Sequence, residues 1–287
     1  MVVLVTGAGG QLGQALKAKA AQQDSLVFYF ATSAEADITN TDSLTAIFNK
    51  IKPDFCINAA AYTAVDKAES EPNEAHAINV TGAANLAAVC KAFATVLIHI
   101  STDFVFDGSK HVAYTEEDVT NPQSVYGKTK REGETAIQDI LKEHYIIRTS
   151  WLYSQYGNNF LKTMLRLGRE RDSLSVVNDQ TGTPTNANDL AAAIITILQH
   201  STAKQGNNDF GIYHFSNEGQ CSWYDFAKKI FEVNKITIDL QPIATAGYPT
   251  PAKRPAYSVM DKQKIKEVFN LTILNWQDSL QNCCKEY

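Results

Sequence analysis

The stretch SVYGKTKREGE, residues 124–134, carries Tyr126 with two lysines behind it, Lys128 and Lys130. On a helix, side chains at i and i+4 share a face, whereas one at i+2 points away. Lys130 can therefore join Tyr126 at one site, and Lys128 does not. A free phenol titrates near pH 10, too high for acid–base work at neutrality. A neighbouring ammonium favours the phenolate and is expected to lower that value. Such a tyrosine can give its proton to a ketone oxygen as a hydride reaches the carbonyl carbon. The same spacing also arises from surface lysines beside a packed tyrosine, so context decides. Here the pair follows HISTDFVFDG (99–108), an apolar run ending in hydroxyls. Ser101, Thr102 and Asp103 stand at its carboxyl end, where ligands of α/β sheets bind. A hydroxyl there can hold a carbonyl beside the tyrosine.

A second cluster lies at the start. TGAGGQLG (6–13) places Gly7, Gly10 and Gly13 between an apolar run and a helical pattern. The first glycine permits a tight turn and the second lets a pyrophosphate approach the backbone. The third allows close helix–strand packing, and the helix N-terminus faces the anion with free N–H groups. A glycine triplet alone is a weak signal; inside a first β-α unit it points to a dinucleotide. The ribose is usually read at the end of the second strand. FATSAEAD (30–37) puts Ala31, Thr32 and Ser33 there, with no acid, and Glu35 and Asp37 follow too late in the chain. NADPH is favoured and NADH is left open, because no arginine is present to select the 2′-phosphate.

These residues need a sheet to hold them. VVLVTG, LVFYFAT (26–32), DFCINAA (54–60) and TVLIHIST (95–102) are continuous apolar runs, the mark of parallel strands covered on both faces. Helical patterns at 11–23, 40–51 and 73–93 separate them, the second with a polar start that can cap it. The alternation predicts an α/β fold, a doubly wound parallel sheet of Rossmann type. Residues 1–150 form the dinucleotide-binding domain. Residues 151–287 form mainly a smaller substrate-binding lobe, with about 172–200 (LSVVND and ANDLAAAIITILQH) returning to the sheet. KQGNNDFG (204–211) reads as an exposed loop.

Bulk properties exclude several classes. With 287 residues, 44% hydrophobic and 20% charged, the chain is an ordinary globular one. A net charge of −5 argues against a bulk grip on nucleic acid. No apolar run reaches membrane-spanning length, and the first residues lack the basic and apolar regions of a signal peptide. Five cysteines without a C-x-x-C pair read as reduced thiols in a cytoplasmic protein. The six histidines show no metal-ligand spacing.

Taken in order, the glycine loop, NAAAYTAVDKAE (58–69), STDFVFDG (101–108), VYGKTKREGE (125–134), RTSWLY (148–153), VVNDQTGTPT (176–185), SWYDFA (222–227) and YPTPAKRP (248–255) closely resemble the dTDP-4-dehydrorhamnose reductase family of extended short-chain dehydrogenases/reductases. The resemblance runs from residue 1 to about 280. It implies reduction of the C4 ketone of a dTDP-4-dehydro-L-rhamnose substrate with NADPH or NADH. It also implies roles: Tyr126 as proton donor, Lys130 on the nicotinamide ribose, and Thr102 orienting the ketone. Gly10, Gln11 and Leu12 would meet the pyrophosphate side of the cofactor. Asp37 and Ile38 would meet the adenine, and Ala61, Tyr62 and Thr63 would line the cofactor. Thr102, Asp103 and Trp151 resemble the sugar-contacting residues, with a core aromatic as the lesser reading of Trp151. Phe104 stands where the family often has tyrosine, so a hydroxyl is lost. Arg254 suits the nucleotide's phosphates by its guanidinium fork, with a plain surface arginine as the other reading. Some members dimerise around a divalent metal held by acids. Ala15 and Asn188 stand at those places here, so no metal is expected and the chain is a monomer or homodimer. Competing implications are a nucleotide-sugar epimerase or dehydratase, which keeps its cofactor through the cycle. A non-catalytic regulatory subunit of methionine adenosyltransferase also has this fold.

Overall fold

In the computed structural model, which describes residues 1–23, 25–203 and 209–285, the four apolar runs become β1 (Val2–Thr6), β2 (Val27–Ala31), β3 (Phe55–Asn58) and β4 (Val96–Thr102), and a further strand not read from the sequence, β5 (His144–Thr149), follows. Short strands follow: β6 (Leu152–Tyr153), β7 (Ser173–Val177), β8 (Thr181–Gly182), β9 (Thr185–Asn186), β10 (Gly211–His214), β11 (Cys221–Ser222) and β12 (Asp239–Ile243). The helices are α1 (Gln11–Ala20), α2 (Thr41–Ile51), α3 (Val65–Ala68), α4 (Pro72–His76), α5 (Gly82–Ala92), α6 (Val125–Ile140), α7 (Phe160–Glu170), α8 (Ala187–Ala203), α9 (Trp223–Val233), α10 (Gln263–Phe269) and α11 (Trp276–Cys284).

Six parallel strands form one sheet in the order β10-β5-β4-β3-β1-β2. Successive strand residues face opposite layers, as the pleat requires. Val3, Val5, Ile57 and Ile147 pack under α1, α8 and α10. Leu4, Cys56, Leu97 and Ile146 pack under α2, α5 and α6. Burial on both faces is why these strands read as unbroken apolar runs. The chain runs one way from β1 to β2 and the other way from β3 onward, so the switch point lies between β1 and β3.

Caps set the helix starts. The Asn40 side chain accepts from the N–H groups of Asp42 and Ser43, the polar start expected of α2. Ser124 accepts from the Gly127 N–H and opens α6. The Ser222 hydroxyl and the Asp225 carboxylate form a capping box on α9.

Two expectations change. The single helix predicted over 73–93 is interrupted by a π-helical turn, Ala77–Thr81. The segment 172–200 does not return to the six-stranded sheet as a strand. β7 pairs with β12 in a separate ribbon, Ser173 opposite Asp239. Its residues are mostly exposed or half-buried, so it does not meet the demand of a two-sided layer. What returns is α8, packed against α1, and later β10, whose Tyr213 and His214 are buried beside β5. The second core, built on Tyr153, Leu161, Phe226, Ile230 and Trp276, belongs to the lobe. Of the predicted loop 204–211, residues 204–208 lie outside the described residues.

Candidate active site

The carboxyl ends of β1, β3, β4 and β5 open into a cavity of about 600 Å³. Gly10, Gln11, Leu12, Ala61, Thr63, Thr102, Asp103, Tyr126, Lys130, Trp151 and Arg254 all line it. A second cavity of about 370 Å³ adjoins it through Gly10 and Ala59–Ala61, and is lined by Gly7, Thr32, Ser33, Asp37 and Ile38. Together they run from the second strand's end to the tyrosine, the path of a dinucleotide across a switch point.

The glycine loop fits such a ligand. Gly7 has φ +70°, and a Cβ there would meet the Ala60 nitrogen at 2.5 Å, so no larger residue fits. A Cβ at Gly13 would meet the Gly7 oxygen at 2.5 Å, which is the close helix packing expected. Gly10 precedes the first turn of α1 and has no side chain to cap it, leaving the helix N–H groups for an anion.

Helix α6 decides between the two lysines. Lys128 is exposed, whereas Lys130 is only 2% exposed and shares the cavity with Tyr126. Gly127 lets α6 press onto the Phe104 carbonyl, so Tyr126 starts its helix directly against the end of β4. The Phe104 ring meets the Tyr126 ring edge to face, with centroids 5.6 Å apart. The Lys130 Nζ donates to the Ile100 carbonyl at 2.7 Å and lies 3.3 Å from His99 Nε2.

The electrostatics differ from the expectation. Burial pushes the Tyr126 phenol up to about 12, the Thr102 hydroxyl pulls it back, and the Asp103 charge adds to the rise. Burial lowers Lys130 to about 8, opposed by the Glu134 charge. Burial is the largest influence on both groups. Asp103 is likewise raised by burial to about 6, with nearby hydroxyls opposing. The Thr102 hydroxyl donates to Asp103 Oδ1 at 3.0 Å and accepts from the Phe104 N–H at 3.2 Å.

Several side chains do more, or other, than their spacing suggested. Tyr62 turns away from both cavities; its hydroxyl donates to Glu71 at 2.7 Å and its ring packs on Ala68 and Ala75. Gln11 spends its amide oxygen on Ser154 and Asn159, at 3.1 and 2.8 Å, tying the glycine loop to the segment after β6. Glu35, set aside as too late in the chain, folds back onto Thr32 at the end of β2. Arg254 lines the cavity with its guanidinium already forked onto Asp66, at 3.0 and 2.8 Å. Trp151 adopts φ +47° and stacks on Trp223 with centroids 3.6 Å apart, so it is both packed and cavity-lining. Trp223 and Asn159 were missed; the SWYDFA motif held the first, and no pattern signalled the second. Asn79, buried in the π-helical turn, clamps the Tyr62 backbone and donates to the Thr129 hydroxyl beside Lys130. Ala15 is buried under the sheet, and among the described residues no group of three His, Cys, Asp or Glu side chains could hold a metal. Among them, too, no helix is long and apolar enough to cross a membrane.

The whole sequence, residues 1–287, matches the family described as RmlD substrate binding domain. It is 43% identical to a dTDP-4-dehydrorhamnose reductase of Aggregatibacter actinomycetemcomitans, over 98% of this chain and 97% of that protein. The chain belongs to the dTDP-4-dehydrorhamnose reductase family. A crystal structure of a dTDP-4-dehydrorhamnose reductase from Clostridium acetobutylicum superposes with a TM-score of 0.94, at 40% identity over 100% and 99% of the two chains. A Bacillus anthracis dTDP-4-dehydrorhamnose reductase in complex with NADP gives 0.93, at 37% identity over 100% and 99%. Membership in the reductase family explains why the dinucleotide path and the tyrosine–lysine pair share one opening.

Proposed function

We propose that this protein reduces the C4 ketone of dTDP-4-dehydro-L-rhamnose to the alcohol of dTDP-L-rhamnose, using NADPH and accepting NADH. The supporting observation is that Tyr126, Lys130 and Thr102 line one cavity continuous with a glycine cradle. The reduced nicotinamide, when bound, supplies a hydride to the carbonyl carbon. Thr102 would turn its hydroxyl proton from Asp103 to the carbonyl oxygen and hold it there. Tyr126 gives its phenolic proton to that oxygen, so the ketone gains one hydride and one proton. A phenol raised to about 12 stays protonated at working pH, the form a donor needs. Lys130 would hold the ribose of the nicotinamide, and its charge stabilises the phenolate left on Tyr126. Asp103 and Trp151 would position the sugar, and Arg254 with Trp223 would face the nucleotide side, since both also line a neighbouring cavity of about 860 Å³ in the lobe.

Residues 1–150 serve the cofactor, and 151–287 mainly the nucleotide sugar. The protein acts in the cytoplasm as a monomer or homodimer, in supply of an activated sugar for cell-surface polysaccharide; its five free cysteines accord with a reducing compartment. The test is an assay of purified protein with dTDP-4-dehydro-L-rhamnose and NADPH, following loss of the reduced-nicotinamide absorbance. One oxidised cofactor should be released per sugar reduced. Absence of turnover with this sugar, alongside intact cofactor binding, would overturn the reading.

A further inference from the structure

Behind Lys130 lies a buried polar chain that the reaction as written does not use. His99 on β4 is 1% exposed, and its Nε2 stands 3.3 Å from Lys130 Nζ. Its Nδ1 stands 3.0 Å from the Asn58 amide nitrogen at the end of β3. Asn58 Oδ1 accepts from the Ala60 N–H at 3.2 Å and from the Thr6 hydroxyl at 2.9 Å.

Hydrogen-bond directions in this chain are forced. A backbone N–H only donates, so the Asn58 atom facing Ala60 must be the oxygen. The Asn58 atom facing His99 is then the NH₂ group, which only donates. His99 Nδ1 must therefore accept and carries no proton. Burial, and next the Lys130 charge, hold His99 well below its ordinary range, so the ring is neutral. Its single proton sits on Nε2 and points at the lysine. An amine has a lone pair to accept that N–H; an ammonium has none. The Ile100 carbonyl takes one lysine N–H in either state.

We infer that Asn58 and His99 are positioning residues that fix the histidine tautomer and thereby pull the Lys130 ammonium–amine balance toward the amine. The inference rests on Lys130 being the lysine of the proposed active site. Other charged groups around Lys130 are few. Glu134, a turn further along α6, favours the ammonium by its charge and is itself held by Arg148 on β5 through a forked pair at 2.9 and 2.7 Å. Tyr126 shares its helix face, Asp103 follows β4, and His144 on β5 adds a weak effect on His99. None of these presents a lone pair to Nζ at the place His99 occupies. The amine is thus favoured by a donor aimed at it, beyond what burial alone would do.

Asn58→Asp tests this without change of shape. Its Oδ1 can keep the Ala60 and Thr6 bonds, and its Oδ2 would accept from His99, moving the ring proton to Nδ1. Nε2 would then offer a lone pair to the ammonium. Imidazole ¹⁵N NMR on the folded protein reads the tautomer directly, with no cofactor or turnover needed. The expected result is a neutral ring protonated at Nε2 in the wild type and at Nδ1 in Asn58→Asp. In the wild type the His99 signals should also inflect as Lys130 titrates near pH 8. The alkaline limb of kcat/KM, where the lysine loses its charge, should move up by about one pH unit in the variant. His99→Phe, which removes the N–H aimed at the lysine without adding a charge, is the second arm and should move the limb the same way. A wild-type ring protonated at Nδ1, or an alkaline limb unmoved in both variants, overturns the inference. Expected nitrogen signals in a protein without reductase activity would support this network while overturning the functional reading.

Discussion

The carboxylate of Glu35 accepts two hydrogen bonds from Thr32, from its N–H at 2.9 Å and from its hydroxyl at 2.8 Å. The chain thus brings an acid back to the end of β2, where Thr32 and Ser33 line the second cavity. The Thr32 bonds hold its pKa below the ordinary range, so it is charged at neutrality. A 2′-phosphate beside Thr32 would meet that charge. Glu35→Gln should therefore move the ratio of kcat/KM toward NADPH over NADH by about five- to ten-fold. An unchanged ratio would leave Glu35 as a turn-capping residue only.

Tyr126→Phe removes the phenolic proton and keeps the ring that packs on Phe104. General acid catalysis is commonly worth about 10²–10⁴ in rate. The expected outcome is a kcat loss in that range, with cofactor affinity and melting temperature close to wild type. A variant within about threefold of wild type would remove Tyr126 from the role.

Lys130→Met and Lys128→Met separate the two lysines by face. The first should cripple turnover and weaken cofactor binding, because Nζ reaches into the cavity. The second, an exposed side chain, should alter neither. Titration of cofactor fluorescence in both variants checks the binding half; equal damage from both would contradict the helical geometry.

Asp103 is 1% exposed and raised from its ordinary 3.8 to about 6. Above pH 6 it is charged in both folded and unfolded chains, and the fold bears the cost of burying that charge. Between about pH 6 and 4 the folded protein takes up the proton first, and the penalty fades. Asp103→Asn should therefore stabilise the protein at pH 7.5 by about 1–3 kcal/mol, an advantage shrinking toward pH 4, while lowering activity. Denaturant melts at the two pH values measure it; a variant less stable at pH 7.5 would contradict the charge argument.

Arg254→Ala should raise KM for the nucleotide sugar about ten-fold or more if the guanidinium meets phosphate. Its partly exposed pair with Asp66 should contribute only about 0–1 kcal/mol to stability, so melting should barely move. An unchanged KM would mark the pair as a tie between α3 and the 250–254 segment.

What the sequence revealed follows from how local each signal is. β1, β3 and β4 were legible because both faces are covered, which leaves an apolar run in each; β2 was legible although Val27 and Tyr29 are exposed, and β5 and β10 were not read as sheet strands. The glycine loop and the Tyr126–Lys130 spacing were legible because they are set by neighbours within one turn. Contacts set by loop conformation were not: Glu35 reaches Thr32 only because the turn after β2 doubles back, and Tyr62 is drawn off by Glu71. The burial that raises the Tyr126 phenol was not legible either, since burial is decided by the whole fold. The ribbon of β7 and β12 was hidden because pairing partners more than sixty residues apart leave no mark in either segment.

The position of β10 has a consequence for synthesis. The ribosome releases β5 long before Gly211–His214 can pair with it, and the lobe's α7 and then the whole of α8 emerge in between. Until then β5 offers an open row of N–H and C=O groups, the kind of edge on which chains aggregate. A fragment ending at residue 150 would keep that edge for good. It should precipitate or recruit chaperones where a fragment reaching residue 216 stays monomeric, and nascent-chain pull-down at the two lengths would show whether closing the sheet's edge is the step that releases the protein from its helpers.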